Sequence, residues 1–189
     1  MKERIIEDFV KEMETKGMKF TMDDLVHRIG ISKRTLYEHF SSKAEILEVL
    51  IDETIAEVNH KTENVLQNEE LSTIQKLRKV ITMTPGYRIL YDQAIFEQIK
   101  RSYPDLREKL SKIFHIDWDK LHVLIHQGIQ EGTIADRDEN LIVKMIMEAV
   151  YSVHDQEFYI ENNISMTDAI SQTADIILFG ILSTEENRG

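Results

Sequence analysis

Residues 21–43 read TMDDLVHRIGISKRTLYEHFSSK, and this stretch decides the fold. Thr21 has the side chain of an N-cap, and Asp24, three positions on, can return a bond to the cap in an acidic version of the capping box. Leu25, Val26 and Ile29 then fall on one side of a helix. Gly30 supplies a backbone freedom that residues with a Cβ lack, and Ile31 fills the angle between this helix and the next. Ser32 caps a second helix whose inner positions are Leu36 and Phe40 and whose outer positions are Lys33, Arg34, Thr35, Tyr37 and His39. Ser42 and Glu45 predict a further capping box. Two short helices around a tight turn, the second presenting cations, hydroxyls and an aromatic outward, have the composition of a unit that lays one helix in the DNA major groove.

On the N-terminal side, Lys2–Thr15 shows Ile5, Ile6, Phe9, Val10 and Met13 on one stripe, and Gly17 ends it. Residues 1–48 thus form a three-helix unit closed by the start of a fourth helix. That fourth helix begins at Lys43 and keeps helical spacing to about Gln67, a length of about 37 Å. Ser72 with Gln75 is a capping box for a helix to about Thr82. Thr84-Pro85 predicts a helix over Gly86–Arg101 with proline at its first position. Pro104 opens another, which runs to about Glu131 and ends at Gly132, with Gly128 at a close helix crossing. Asp136 or Asp138 caps a helix to about Glu161, and Ser165 caps the last, before a polar tail, Ser183–Gly189. The expected fold is all-α with about nine helices. Residues 1–48 form a helix-turn-helix DNA-binding domain, and 49–189 a second helical domain.

The last two long helices, about Asn140–Glu161 and Met166–Leu182, carry apolar residues over an arc wider than one contact face needs. They are the expected homodimer interface.

Composition narrows the function. The 189 residues are 42% hydrophobic, enough for a sizeable core, and contain no cysteine, so disulfides and thiolate metal sites are excluded. The opening MKERIIEDFV is not a secretory signal, and no apolar run approaches the ~20 residues of a membrane helix. A cytoplasmic protein with no membrane partner is expected. The net charge is −11. Residues 1–48 hold nine Lys/Arg and ten Asp/Glu, a net −1, which leaves −10 on the remainder. Within 28–43 four cations face one acid, Glu38, for +3. A local basic face beside an acidic remainder allows phosphate binding and keeps indiscriminate binding modest.

No nucleophile–base pairing, Gly-rich phosphate loop or metal-hydrolase motif is present, so no enzyme activity and no cofactor are expected. The competing reading is a helical metal-binding sensor or small enzyme built on His115, Asp119, His122 and His126, which share one helix stripe. Its plain counterpart is a solvated polar face opposite Leu110, Phe114, Trp118, Leu121 and Ile125. No metal site is assigned. Met83, Tyr87, Tyr91, Phe114, Trp118, Met147 and Tyr151 are of the types that line an adaptable apolar pocket, although each can equally fill a core.

Thr21 through Leu47 resembles the N-terminal domain of the tetracycline-repressor (TetR) family of bacterial transcriptional regulators. The resemblance is carried by Phe20-Thr21, Gly30-Ile31-Ser32-Lys33, Thr35-Leu36-Tyr37, His39-Phe40, Lys43 and Leu47. It covers about the first 50 residues; beyond them only helix number, helix lengths and the Gly128…Gly132 helix end are similar. The resemblance implies an all-α homodimer that binds a pseudo-palindromic double-stranded operator and a small effector of unknown identity. It implies phosphate contacts from Thr21, Tyr37, His39 and Lys43. It implies base or groove-floor contacts from Lys33, Arg34 and Thr35 behind the Ser32 cap, with Arg28 at the rim. Arg34 departs from the small residue that many members carry there. Glu38 is an acid on the same helix, able to accept from a cytosine amino group or to face solvent.

Overall fold

The computed structural model describes residues 1–114, 118–153 and 162–181. Ten α-helices and no β-strand occur among them. They are α1 (Lys2–Lys16), α2 (Met22–Ile29), α3 (Lys33–His39), α4 (Lys43–Gln67), α5 (Thr73–Ile81), α6 (Gln93–Ser102), α7 (Arg107–Phe114), α8 (Trp118–Gln130), α9 (Glu139–Ser152) and α10 (Met166–Ile181). The chain divides into two compact units, Met1–Glu57 with Pro85–Phe114, and Val58–Thr84 with the residues from His115 onward. Helix α4 runs on from the first unit into the second.

In the first unit, α1 buries Ile5, Ile6, Phe9, Val10 and Met13, the stripe that its spacing predicts. Phe9 meets Phe20 edge to face, with ring centres 5.1 Å apart. Leu25, Leu36, Ile46, Leu47, Leu50 and Ile51 are fully buried around them. Each such side chain contributes roughly 1.5–3 kcal/mol by leaving water. Ile95, Phe96 and Ile99 of α6 and Leu110 and Ile113 of α7 complete the same core.

In the second unit, α8 packs on α5 and α9, and α10 packs on α5 and α9, so four helices enclose one core. Leu77, Leu121, Ile125, Val143, Ile146 and Ala174 are fully buried in it. Gly132 ends the α8 region in the left-handed conformation, at φ 70°. The backbone then folds back so that Ile134 presses on Gly128. A Cβ at Gly128 would sit 2.5 Å from Ile134 Cδ1, which explains a glycine inside a helix.

Several expectations need correction. Pro85 does not open a helix. Residues 83–87 are irregular, a 3₁₀ turn covers Arg88–Tyr91, and α6 starts only at Gln93. The Glu57 carboxylate accepts from Gly86 N–H at 3.0 and 3.1 Å, and Asp92 takes the N-cap by accepting from Ile95 N–H at 2.8 Å. Tertiary and capping partners thus outweigh the local preference of proline for a first helical turn. Pro104 lies in a 3₁₀ turn, Pro104–Leu106, and the span expected as one helix is described as α7 and α8, with residues 115–117 outside the described residues.

Ser42 caps α4 by accepting from Glu45 N–H at 3.2 Å, but the Glu45 carboxylate returns to Ser41, to its N–H at 2.6 Å and its hydroxyl at 2.7 Å. Of the alternatives Asp136 and Asp138, Asp138 caps α9, accepting from Leu141 N–H at 2.8 Å. The far end of that helix near Glu161, His154-Asp155 and the tail from Ser183 lie outside the described residues.

Candidate nucleic-acid interface

The turn forms as its residues dictate. Thr21 Oγ1 accepts from Asp24 N–H at 3.2 Å, and the Asp24 carboxylate accepts from Thr21 N–H at 2.7 Å. The Thr21 hydroxyl also donates to that carboxylate at 2.6 Å, and this bond, the one from Thr21 N–H and the Lys16 ammonium hold the Asp24 carboxyl far below the usual carboxylate range. Gly30 closes α2 at φ 72°. The Arg4 guanidinium donates to Ile29 O at 2.7 Å, which satisfies a carbonyl at the C-terminal end of α2. Ser32 Oγ accepts from Thr35 N–H at 3.0 Å and lies 2.8 Å from Thr35 Oγ1. With Leu36 and Phe40 buried and Ile31 partly buried, α3 is anchored along one side.

The other side of α3 faces outward. Ser32, Lys33, Arg34 and Tyr37 are exposed, while Thr35 and His39 are half-buried. The Arg34 side chain, 89% exposed, is bonded to Glu38 Oε1 at 3.0 Å one turn further on. Lys33 Nζ lies 2.7 Å from Asp23 Oδ2 of α2, and this bond raises the lysine above its ordinary value. Ser32, Lys33, Arg34, Thr35 and Tyr37 thus lie on α3 or at its N-cap, whereas Thr21 caps α2.

Two expected contacts are placed differently. Arg28 is not a free cation at the rim; its guanidinium bonds the Glu12 carboxylate of α1. Lys16 Nζ approaches the same carboxylate at 2.9 Å and Asp24 at 3.0 Å. Burial alone would raise the Glu12 carboxyl, but these two cations outweigh it and hold the group below its ordinary value. Lys43 points inward, donating to Met18 O at 2.7 Å and Phe20 O at 2.6 Å. Desolvation pushes its amine down to about 8. The phosphate role expected for Lys43 therefore has to compete with two internal acceptors. Asp23, Glu12 and Arg4 were missed by sequence reasoning, because their partners lie 10, 16 and 25 residues away, beyond any helical spacing.

Elsewhere, Tyr87 and Tyr91 pack half-buried on the first core, and Tyr91 donates to Ile113 O at 3.1 Å. Met147 is buried in the second core, and Thr62 Oγ1 lies 3.5 Å from Met83 Sδ. The side chains of Phe114, Trp118 and Tyr151 lie outside the described residues. On the histidine stripe, His115 is likewise outside them. His126 is engaged by Glu139 through Nδ1 at 2.7 Å and by Gln130 through Nε2 at 2.8 Å. Among the described residues no group of three or more His, Asp or Glu side chains is placed to hold a metal ion, and no helix is long and apolar enough to cross a membrane.

Comparisons agree with this geometry. Residues 5–50 match the profile of bacterial regulatory proteins of the tetR family. An uncharacterized HTH-type transcriptional regulator, YvaF of Bacillus subtilis (strain 168), is 26% identical over 186 residues, 98% of each chain. In fold, the chain is similar to the TetR family transcriptional regulator PfmR of Thermus thermophilus. That match has a TM-score of 0.74 at 21% identity, over 93% of this chain and 97% of that one. It is also similar to SmeT, the repressor of the Stenotrophomonas maltophilia multidrug efflux pump SmeDEF. The TM-score is 0.72 at 16% identity, over 98% and 92% of the two chains. Over residues 5–50 the helix-turn-helix matches the tetR family of bacterial regulatory proteins, and over nearly its whole length the chain is similar to transcriptional regulators in sequence and in fold.

Proposed function

We propose that the protein is a ligand-responsive repressor that acts in the cytoplasm and binds a pseudo-palindromic operator as a homodimer. In this reading residues 1–48 are the DNA-binding domain, and 49–189 bind the effector and dimerise. The observation that carries the reading is the exposure of Lys33 and Arg34 on a helix whose opposite side is anchored in the core. Arg34 and Lys33 read base edges, Thr35 and Ser32 lie against the groove, and Thr21, Tyr37 and His39 contact phosphate. Dimerisation is supported by apolar side chains left exposed on α9 and α10: Leu141, Met145, Ile176 and Phe179. A two-fold dimer presents two copies of α3 at a spacing of one helical turn or a multiple.

The effector is an apolar or amphipathic small molecule held by residues 49–189. It is supported by the aromatic and methionine composition of that region and by the likeness in fold to a repressor of a multidrug efflux pump. Such a ligand must favour the DNA-incompetent state, with coupling of roughly 1–3 kcal/mol.

Selection of bound duplexes from a random pool tests the reading. The wild type is expected to enrich an inverted repeat. Arg34→Ala is expected to lose ~1–3 kcal/mol of specific binding and to relax the preference at one position in each half-site. Enrichment of no inverted repeat, or an unchanged profile for Arg34→Ala combined with Lys33→Ala, overturns it. Trp118 emission, titrated with hydrophobic candidates with and without operator, tests the effector. Equal affinity in the two conditions rules out the coupling by linkage.

A further inference from the structure

The sequence places four cations against one acid between residues 28 and 43, yet little of that charge faces outward alone. Arg28 is paired with Glu12, and Lys43 is turned onto two carbonyl oxygens. The two cations left on the outer side of α3 each hold a carboxylate, Asp23 at 2.7 Å from Lys33 and Glu38 at 3.0 Å from Arg34. Asp23 comes from α2, across the turn, so this pairing is a product of the helix-turn-helix geometry and not of helical spacing. Both carboxylates are more than half exposed. Exposed pairs of this kind contribute little to folding, and although Asp23 also suits the first turn of α2, that placement does not require it to pair with Lys33.

Their effect on DNA binding follows from electrostatics. A bare cation on a groove-facing helix is attracted by every phosphate, whatever the sequence, and that attraction supplies nearly all non-specific binding. A cation bonded to a carboxylate is a dipole whose field falls off fast, and bringing it to a phosphate also brings an anion. Guanine O6 and N7 can take Arg34 or Lys33 with directed bonds, and a cytosine N4 amino group can give a hydrogen bond to a freed carboxylate. A phosphate offers nothing to the carboxylate. A base edge therefore satisfies both members of a pair, whereas the backbone satisfies one.

We infer that Asp23 and Glu38 are specificity determinants, gating Lys33 and Arg34 so that these cations engage matched base edges in preference to phosphates. Glu38 does so by accepting from a cytosine amino group once Arg34 has moved onto a base. The inference rests on the reading that α3 enters the major groove.

The test compares full-length wild type, Asp23→Asn, Glu38→Gln and the double variant, each binding a selected operator duplex and a random-sequence duplex across a salt series. Removing each carboxylate is expected to raise affinity for the random duplex at least roughly threefold at low salt and to steepen its salt dependence by about 0.9 in slope. The operator-to-random ratio is expected to fall correspondingly. Glu38→Gln is further expected to relax the preference for a C at one position in the half-site. Glu69→Gln, an exposed acid in the second unit, serves as the control for net charge and is expected to leave both affinities unchanged. Unchanged random-duplex affinity in folded Asp23→Asn and Glu38→Gln overturns the inference, as does an equal gain from Glu69→Gln. Arg34→Ala and Lys33→Ala, run alongside, separate the two levels. If they too leave operator binding untouched, it is the placement of α3 in the groove that fails.

Discussion

The Lys43 ammonium lies 3.7 Å from the centre of the Phe20 ring and donates to the carbonyl oxygen of the same residue at 2.6 Å. A second bond, to Met18 O, ties the start of α4 to the turn between α1 and α2. From the other side, the Gln98 side chain of α6 accepts from Met18 N–H at 2.9 Å. The turn that sets the entry of α2 is thus clamped through two of its carbonyls and an N–H.

Lys43→Met is therefore expected to act on stability. It keeps most of the unbranched side chain but strands two carbonyl oxygens of buried residues, for a loss of about 1–3 kcal/mol. Thermal melts and salt titration of DNA binding check this together. The midpoint falls while the salt slope stays as in the wild type. A slope lower by about 1 with an unchanged midpoint would instead show Lys43 turning out to a phosphate.

Gly128→Ala places a methyl group 2.5 Å from Ile134 Cδ1 and 2.8 Å from its Cγ1. Overpacking of this kind costs roughly 1–3 kcal/mol. Ile134→Val removes the nearer carbon, so the double variant is expected to lose less than the sum of the two single losses. Denaturant unfolding of all four proteins gives the coupling directly; additive losses would contradict the contact.

Phe179 and Ile176 of α10 are 76% and 73% exposed, whereas Ile177 packs against the second core. The face that Ile177 occupies belongs to the chain's own core, so it is the wrong position at which to break a dimer. Phe179→Glu is expected to give a monomer by light scattering with a melting profile close to that of the wild type, a loss of about 2 kcal/mol or more in association. Ile177→Glu is expected to lower the melting temperature.

The Asp24 carboxyl sits below its ordinary value of 3.8 in the folded chain because of its bonds to Thr21 and Lys16. A depressed carboxylate contributes stability that is present above that ordinary value and is lost as pH falls through the folded value. Asp24→Asn is expected to melt below the wild type at neutral pH, and the gap is expected to close as the pH drops below about 3.8. Melts over an acid series check this, and a gap that persists in strong acid would count against the cap.

Much of this protein was decided within a few residues of each position. The caps at Thr21, Ser32, Ser72 and Ser165 and the left-handed Gly30 join groups at most four apart, so spacing and residue type suffice to place them. The inward stripes of α1, α2 and α3 follow from the helical period for the same reason. Tertiary structure decided what charge and faces mean. Local counting gives 28–43 a charge of +3, but Glu12, Asp23 and the carbonyls of Met18 and Phe20 reach those cations from 10 to 25 residues away. Glu57 holds Gly86 from 29 residues away, where local preference had a helix starting at Pro85. On α10, neighbouring Ile176 and Ile177 differ by one helical step of about 100°, and which of them meets the core was settled only once α5, α8 and α9 had taken their places. Charges and apolar groups act on whatever the fold brings within a few ångströms, and that neighbourhood exists only in the folded chain.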